Sequence, residues 1–153
     1  MADLWYARAM RNMVKGDLDF DTIDLYIALV MTNTTADTER DSATISAITT
    51  LDEMDGANYA RKKLSSQTVT EDLANDRIEI DVADITWSAL GNGTRQIQGY
   101  LVFYQPTSSG SGQSDANCIP IAYRDLSATV NPGGSDFTIQ VDAEGLLQVR
   151  SLN

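Results

Sequence analysis

Short apolar runs that alternate with polar residues at a period of two, set between turn residues, constrain this chain most. Ile23, Leu25, Ile27 and Leu29 alternate with Asp24, Tyr26, Ala28 and Val30. Successive side chains of a strand point to opposite faces, so the pattern predicts a strand with one strongly apolar face. Ile78, Ile80 and Val82 repeat it against Arg77, Glu79 and Asp81, followed by Phe137, Ile139 and Val141, then Leu147 and Val149. Residues 97–105, IQGYLVFYQ, are apolar on both faces in their middle, which predicts a central strand. Residues 118–124 predict another, with Pro120 demanding an edge or a bulge because it lacks an N–H. Turn signals separate the runs: Asn75-Asp76, Asn92-Gly93, Asn131 to Gly134, and Glu144-Gly145.

The first residues follow a different period. Leu4, Trp5, Ala7, Met10, Met13 and Val14 recur at helical spacing, with Asp3 placed to cap and Gly16 to stop a helix over 3–15. The expected fold is mostly β: an antiparallel β-sandwich with a short N-terminal α-helix and a long surface excursion. Residues 1–16 read as a helical arm and 17–153 as one β-sandwich domain. Residues 32–58, with seven threonines, read as the long loop, and 105–117, rich in Ser and Gly, as a flexible one.

Composition removes several kinds of chemistry. The 153 residues include no histidine, so Ser–His–Asp triads, Cys–His pairs and His-based zinc sites are excluded. A lone Cys118 leaves no disulfide within the chain and no CxxC motif, and reads as a small buried hydrophobe. Asp17, Asp19, Asp21 and Asp24 suggest a calcium loop. Thr22 and Ala28, however, stand where an EF-hand needs Gly and Glu, so a solvated acidic stretch is the preferred reading. No carboxylate pair and no glycine loop has catalytic or nucleotide-binding spacing. The chain is expected not to be an enzyme and to carry no cofactor and no metal. Tyr100, Phe103, Tyr104 and Tyr123 read as core rather than as a stacking platform. A formal charge of −11 argues against a nucleic-acid surface. There is no signal-like N-terminus, and the longest apolar run, from Leu25 to Met31, is too short to span a bilayer. A soluble protein with no membrane partner, made in a cytoplasm, is expected.

The few basic residues are unevenly placed. Arg8, Arg11 and Lys15 lie in the first 15 residues, and Arg61, Lys62 and Lys63 are contiguous. Together with Trp5 they are the candidate partner contacts, reaching for acidic surfaces of neighbours.

Ordered motifs then carry a resemblance. Gly16-Asp17-Leu18-Asp19 leads into the segment from Asp21 to Leu29; after the Thr/Asp-rich excursion come Tyr59-Ala60, Asp76-Arg77 and Ala83-Asp84-Ile85-Thr86-Trp87. Gly93-Thr94-Arg95, the stretch from Gly99 to Tyr104, Pro120-Ile121-Ala122-Tyr123, Asp136-Phe137-Thr138-Ile139 and Gly145-Leu146 complete the order. Over nearly its whole length the chain resembles small virion structural proteins of tailed bacteriophages, of the capsid decoration or cement kind. The Ser/Gly-rich insert around 108–112 and the longer basic N-terminal helix depart from that pattern. The resemblance implies a non-enzymatic component of the virion, made in the cytoplasm of a bacterial host. It would bridge capsomers on the outer head shell, with the major capsid protein and copies of itself, as a homotrimer, for partners. A tail- or neck-associated protein such as a fibre-attachment module is the alternative. A surface carbohydrate- or receptor-binding module and a calcium-binding β-domain are two more. Under the arm reading, a chain without residues 1–15 is expected to keep its β-domain folded.

Overall fold

The computed structural model describes residues 4–106 and 114–150. In chain order the elements are β1 (Leu4–Trp5), α1 (Ala7–Lys15), β2 (Leu25–Met31), a 3-10 turn (Ile45–Ala47), β3 (Lys62–Lys63) and β4 (Thr68–Asp72). There follow β5 (Arg77–Asp81), β6 (Ile85–Leu90), β7 (Ile97–Tyr104), β8 (Ile119–Val130), β9 (Ser135–Ile139) and β10 (Leu147–Arg150). The fold is mostly β and antiparallel, with one α-helix near the N-terminus, as the alternating runs predict. A five-stranded sheet has the order β1-β8-β7-β2-β3, a three-stranded one β10-β5-β4, and β6 pairs with β9.

β2 and β7 carry apolar residues at odd and even positions alike, and the five-stranded sheet is accordingly buried on both faces. Leu25, Ile27, Leu29 and Met31 of β2 join Tyr100, Val102 and Tyr104 of β7 in the larger core, against Ile80, Ile85, Trp87, Leu90, Ile139 and Leu147 of the smaller sheets and Val82 just after β5. Ala28 and Val30 point the other way and join Leu101, Phe103 and Tyr123 in a second core. The expectation of one apolar face on β2 is therefore too narrow: Ala28 and Val30 are small enough to pack under a covering segment.

That cover is the 32–58 excursion. It runs over the surface with a single 3-10 turn, and its polar side faces water while Ala36, Ile45, Ile48 and half-buried Leu51 turn inward onto the second core. Its own polar groups hold it: Thr35 N–H donates to Thr50 O at 2.8 Å, and Thr49 N–H donates to Glu39 Oε2 at 2.6 Å. Its return stroke extends the sheet, with Met54 N–H on Leu29 O at 2.9 Å and Met31 N–H on Asp52 O at 2.7 Å.

The N-terminal segment is docked and does not extend as an arm. Leu4 and Trp5, read as helical from spacing, instead pair with Tyr123 and Ala122 of β8. The helix starts after Tyr6, and Gly16 closes it at φ +75°, a conformation that favours glycine; Asp3 lies outside the described residues. Tyr6 is fully buried and its hydroxyl donates to Ala36 O at 2.6 Å. Asn12 Nδ2 donates to Tyr104 Oη at 2.6 Å, and Ala9 is buried in the larger core. Pro120 sits at a register shift between Val102 and Phe103 of β7, the bulge that its missing N–H calls for.

Candidate partner-binding surface

The contiguous cations 61–63 point to different places, because side chains alternate along extended backbone. Arg61 grips Glu53 with both arms of its guanidinium, Nε to Oε1 at 2.8 Å and Nη2 to Oε2 at 2.6 Å. Its Nη1 lies 2.7 Å from Asp115, and the group sits over the Phe103 ring, 5.2 Å from its centroid. Burial alone lowers the Arg61 pKa, but hydrogen bonds to Glu53 and Asp115 outweigh it and the net shift is upward. Tyr59 joins the same cluster, donating to Glu53 Oε1 at 2.7 Å and accepting from Leu29 N–H at 3.1 Å. Lys62 lies over the Trp87 ring at 5.8 Å. Lys63 pairs with Asp24 at 2.7 Å on the surface, and a hydrogen bond to that carboxylate raises its pKa. The triplet is thus no single basic patch.

Trp5 is likewise engaged within the fold. Its indole N–H donates to Gln148 O at 3.1 Å, and its ring meets Phe20 edge-on at 6.3 Å. Lys15 pairs with Asp17 at 3.0 Å, both about half exposed.

Arg8 and Arg11 remain on the outer face of α1. Arg11 reaches the neighbouring Asn12 Oδ1 at 3.4 Å, and neither arginine has an ion pair among the described residues. Met10 and, one turn beyond it, Val14 flank the arginines on the exposed side of the helix, 43% and 89% exposed. Sequence reasoning misses Arg40. The Ala7 N–H donates to Arg40 O at 2.9 Å, which sets the backbone of this exposed residue, also without an ion pair among the described residues, against the first turn of α1. No local signal in the excursion announces that; only its folding across the sheet does. Elsewhere in the described structure Lys15, Arg61, Lys63, Arg77, Arg95 and Arg150 each lie within 4 Å of a carboxylate. In a chain of charge −11, the α1 face with Arg40 is where cations are left facing water beside apolar side chains.

The remaining candidate chemistry is taken up by packing. Cys118 is buried, which pushes its thiol pKa up. Tyr100, Phe103, Tyr104 and Tyr123 are all buried in the two cores. Of the acidic stretch, Asp17 holds Lys15, Asp24 holds Lys63, and Asp19 Oδ1 accepts the Asp21 N–H at 3.0 Å. Among the described residues no three metal-ligating side chains converge. A shallow, open depression lined by Glu39, Asp41, Ser42, Ala43, Ala47 and Thr49 lies on the excursion. Burial there is slight, and Glu39 is already committed to the Thr49 N–H, a bond that lowers its pKa. Of the loop 105–117, residues 107–113 lie outside the described residues; Asp115, beyond them, is fixed by Arg61.

The chain matches no family model, no curated protein and no solved structure.

Proposed function

We propose that this protein is a non-enzymatic virion structural component, a capsid decoration or cement protein on the outer head shell of a tailed bacteriophage. It acts by repeated contacts with the major capsid protein and with copies of itself, as a trimer, and bridges capsomers. The observation that carries the reading is the outer face of α1. Among the described residues Arg8, Arg11 and Arg40 make no ion pair, and Arg8 and Arg11 share the exposed side of α1 with Met10 and Val14, on a chain whose other described cations are largely engaged within the fold. A cationic face with an apolar flank fits an acidic protein surface, and recognition there is guided by charge and consolidated by burial. The family resemblance supplies the kind of particle.

Because the helix is part of the core, truncation is a poor test and charge reversal a clean one. The double substitution R8E/R11E alters two exposed side chains and is expected to leave the circular dichroism spectrum and melting temperature unchanged. It is expected to abolish incorporation into particles, read as copies per capsid by quantitative gel or mass spectrometry. Normal occupancy by the folded double variant would refute the reading.

A further inference from the structure

The three-stranded sheet is closed on one side and bare on the other. The β10 side is covered where Gln148 O accepts the Trp5 indole N–H. On the far side, among the described residues, β4 pairs with β5 alone, and Thr68 to Glu71 are all exposed. Such an edge presents unpaired N–H and C=O groups and serves as a template for another strand. The strand holds no proline, no lysine and no bulge, its register with β5 runs unbroken from Thr68↔Asp81 to Asp72↔Arg77, and its charges are confined to Glu71 and Asp72 at one end. The apolar face of the sheet continues to the edge. Ile80 and Leu147 are buried in the core, while Ile78, Val69 and the turn residue Leu73 are 41%, 36% and 81% exposed.

We propose that β4 is an interaction edge that pairs antiparallel with β4 of a second copy of this chain, about a two-fold axis opposite Thr70. The inference needs only the bare edge and the sequence of the strand, and stands apart from the role of α1. Directly opposed residues of an antiparallel pair share a face, so shifts must keep parity. With the axis at Thr70 the whole of Thr68–Asp72 is paired, Val69 opposes Glu71 of the second copy, and Thr68 opposes Asp72 of the second copy. No like charges meet, and each Thr68 hydroxyl faces a carboxylate that can accept its hydrogen bond. Moving the axis to Glu71 sets the two Glu71 carboxylates opposite one another, and moving it to Val69 leaves Glu71 and Asp72 of each copy outside the pairing. The strand is therefore self-complementary in one register. A two-fold contact is closed and isologous, so it cannot itself generate a trimer; it joins two oligomers built through another surface. The net charge of each copy opposes it at long range, and salt relieves that repulsion.

Val69 tests both the contact and its register. Sedimentation equilibrium up to about 1 mM protein is expected to show the smallest species doubling in mass, more readily at higher salt. V69E places like charges opposite each other twice and V69K places opposite charges there twice. Two cross-strand pairs are expected to move the doubling constant about two- to thirty-fold, down for V69E and up for V69K. Circular dichroism of both variants establishes that this exposed position leaves the fold intact. Absence of doubling overturns the proposal, including the case in which the edge takes a strand of some other protein. Doubling that both substitutions weaken alike, or that neither alters, overturns it too.

Discussion

Arg61, Lys62 and Lys63 are neighbours in the chain and part company in the fold. The Arg61 side chain is 14% exposed and that of Glu53 23%, with three hydrogen-bonded contacts to two carboxylates. Replacing Arg61 by Met strands Glu53 and Asp115 in a partly dry site, a loss expected to cost about 3 kcal/mol. Lys62→Ala removes an interaction with the Trp87 face worth about 0.5–1 kcal/mol. Lys63→Ala removes a solvent-exposed pair, and its effect is expected to be the smallest of the three. Urea denaturation should return that order, and a stability loss at Lys63 equal to that at Arg61 would contradict the geometry. The sequence makes the density of positive charge visible and nothing more. Which cation goes inward depends on Glu53, Asp115 and Phe103, residues brought in from the excursion, from the far side of the 105–117 loop and from β7.

At the scale of elements, the strands with strict alternation are legible and those without it are not. β2, β5, β7 and β10 coincide with alternating or continuously apolar runs, because burial on a sheet imposes that spacing. β4 is nearly invisible, since TVTED offers one apolar residue, a consequence of its exposed edge position. The inward face of the excursion is hidden for another reason. Ala36, Ile45, Ile48 and Leu51 follow no single period, and scattered turn and loop bonds, with threonine and carboxylate side chains, satisfy the backbone where a regular ladder would. The first residues look like an arm because amphipathic spacing says nothing about what receives the apolar face. Tyr6 decides the matter: its buried hydroxyl ties α1 to Ala36 of the excursion. Tyr6→Phe keeps the ring and leaves a buried carbonyl unpaired, expected to cost about 1–2 kcal/mol. Removing residues 1–15 takes away Tyr6, Ala9 and Asn12 together. That chain is expected to lose its cooperative thermal transition; a folded truncated domain with near-normal melting would show that the helix is dispensable.

For the molecule as a whole, the absence of histidine fixes the shape of its pH response. Four carboxylates have lowered pKa values: Glu39 by bonds from Thr49, Asp55 by bonds from Thr94, Asp72 by a bond from Asn75, and Glu144 by a bond from Arg77. A lowered folded value contributes stability that is fully present above the ordinary carboxyl range of about 4 and is lost as pH falls through the folded values. At the alkaline end, burial raises the pKa values of Tyr6, Tyr59 and Tyr123. Groups of that kind contribute stability that is present below the unfolded tyrosine value of about 10 and is lost as pH rises toward the folded values, because the unfolded chain releases those protons first. Between these limits no side chain with an ordinary pKa near neutrality exists to change charge. Relief of self-repulsion opposes the acid-side loss as the net charge of −11 falls, but exposed charges farther apart than about 8 Å are screened at physiological salt, whereas the paired carboxylates act at contact distance. The expected melting curve is therefore a plateau from about pH 5 to pH 8 that falls on both sides, the alkaline loss starting with Cys118, whose buried thiol is raised above the unfolded value of about 8.5, measured by calorimetry at about 0.15 M salt. A melting temperature that moved by several degrees between pH 6 and 8 would require a titrating group that this sequence does not supply. A rise on acidification below pH 4 would mean that repulsion, rather than the bonds to Glu39, Asp55, Asp72 and Glu144, governs how the chain responds to acid.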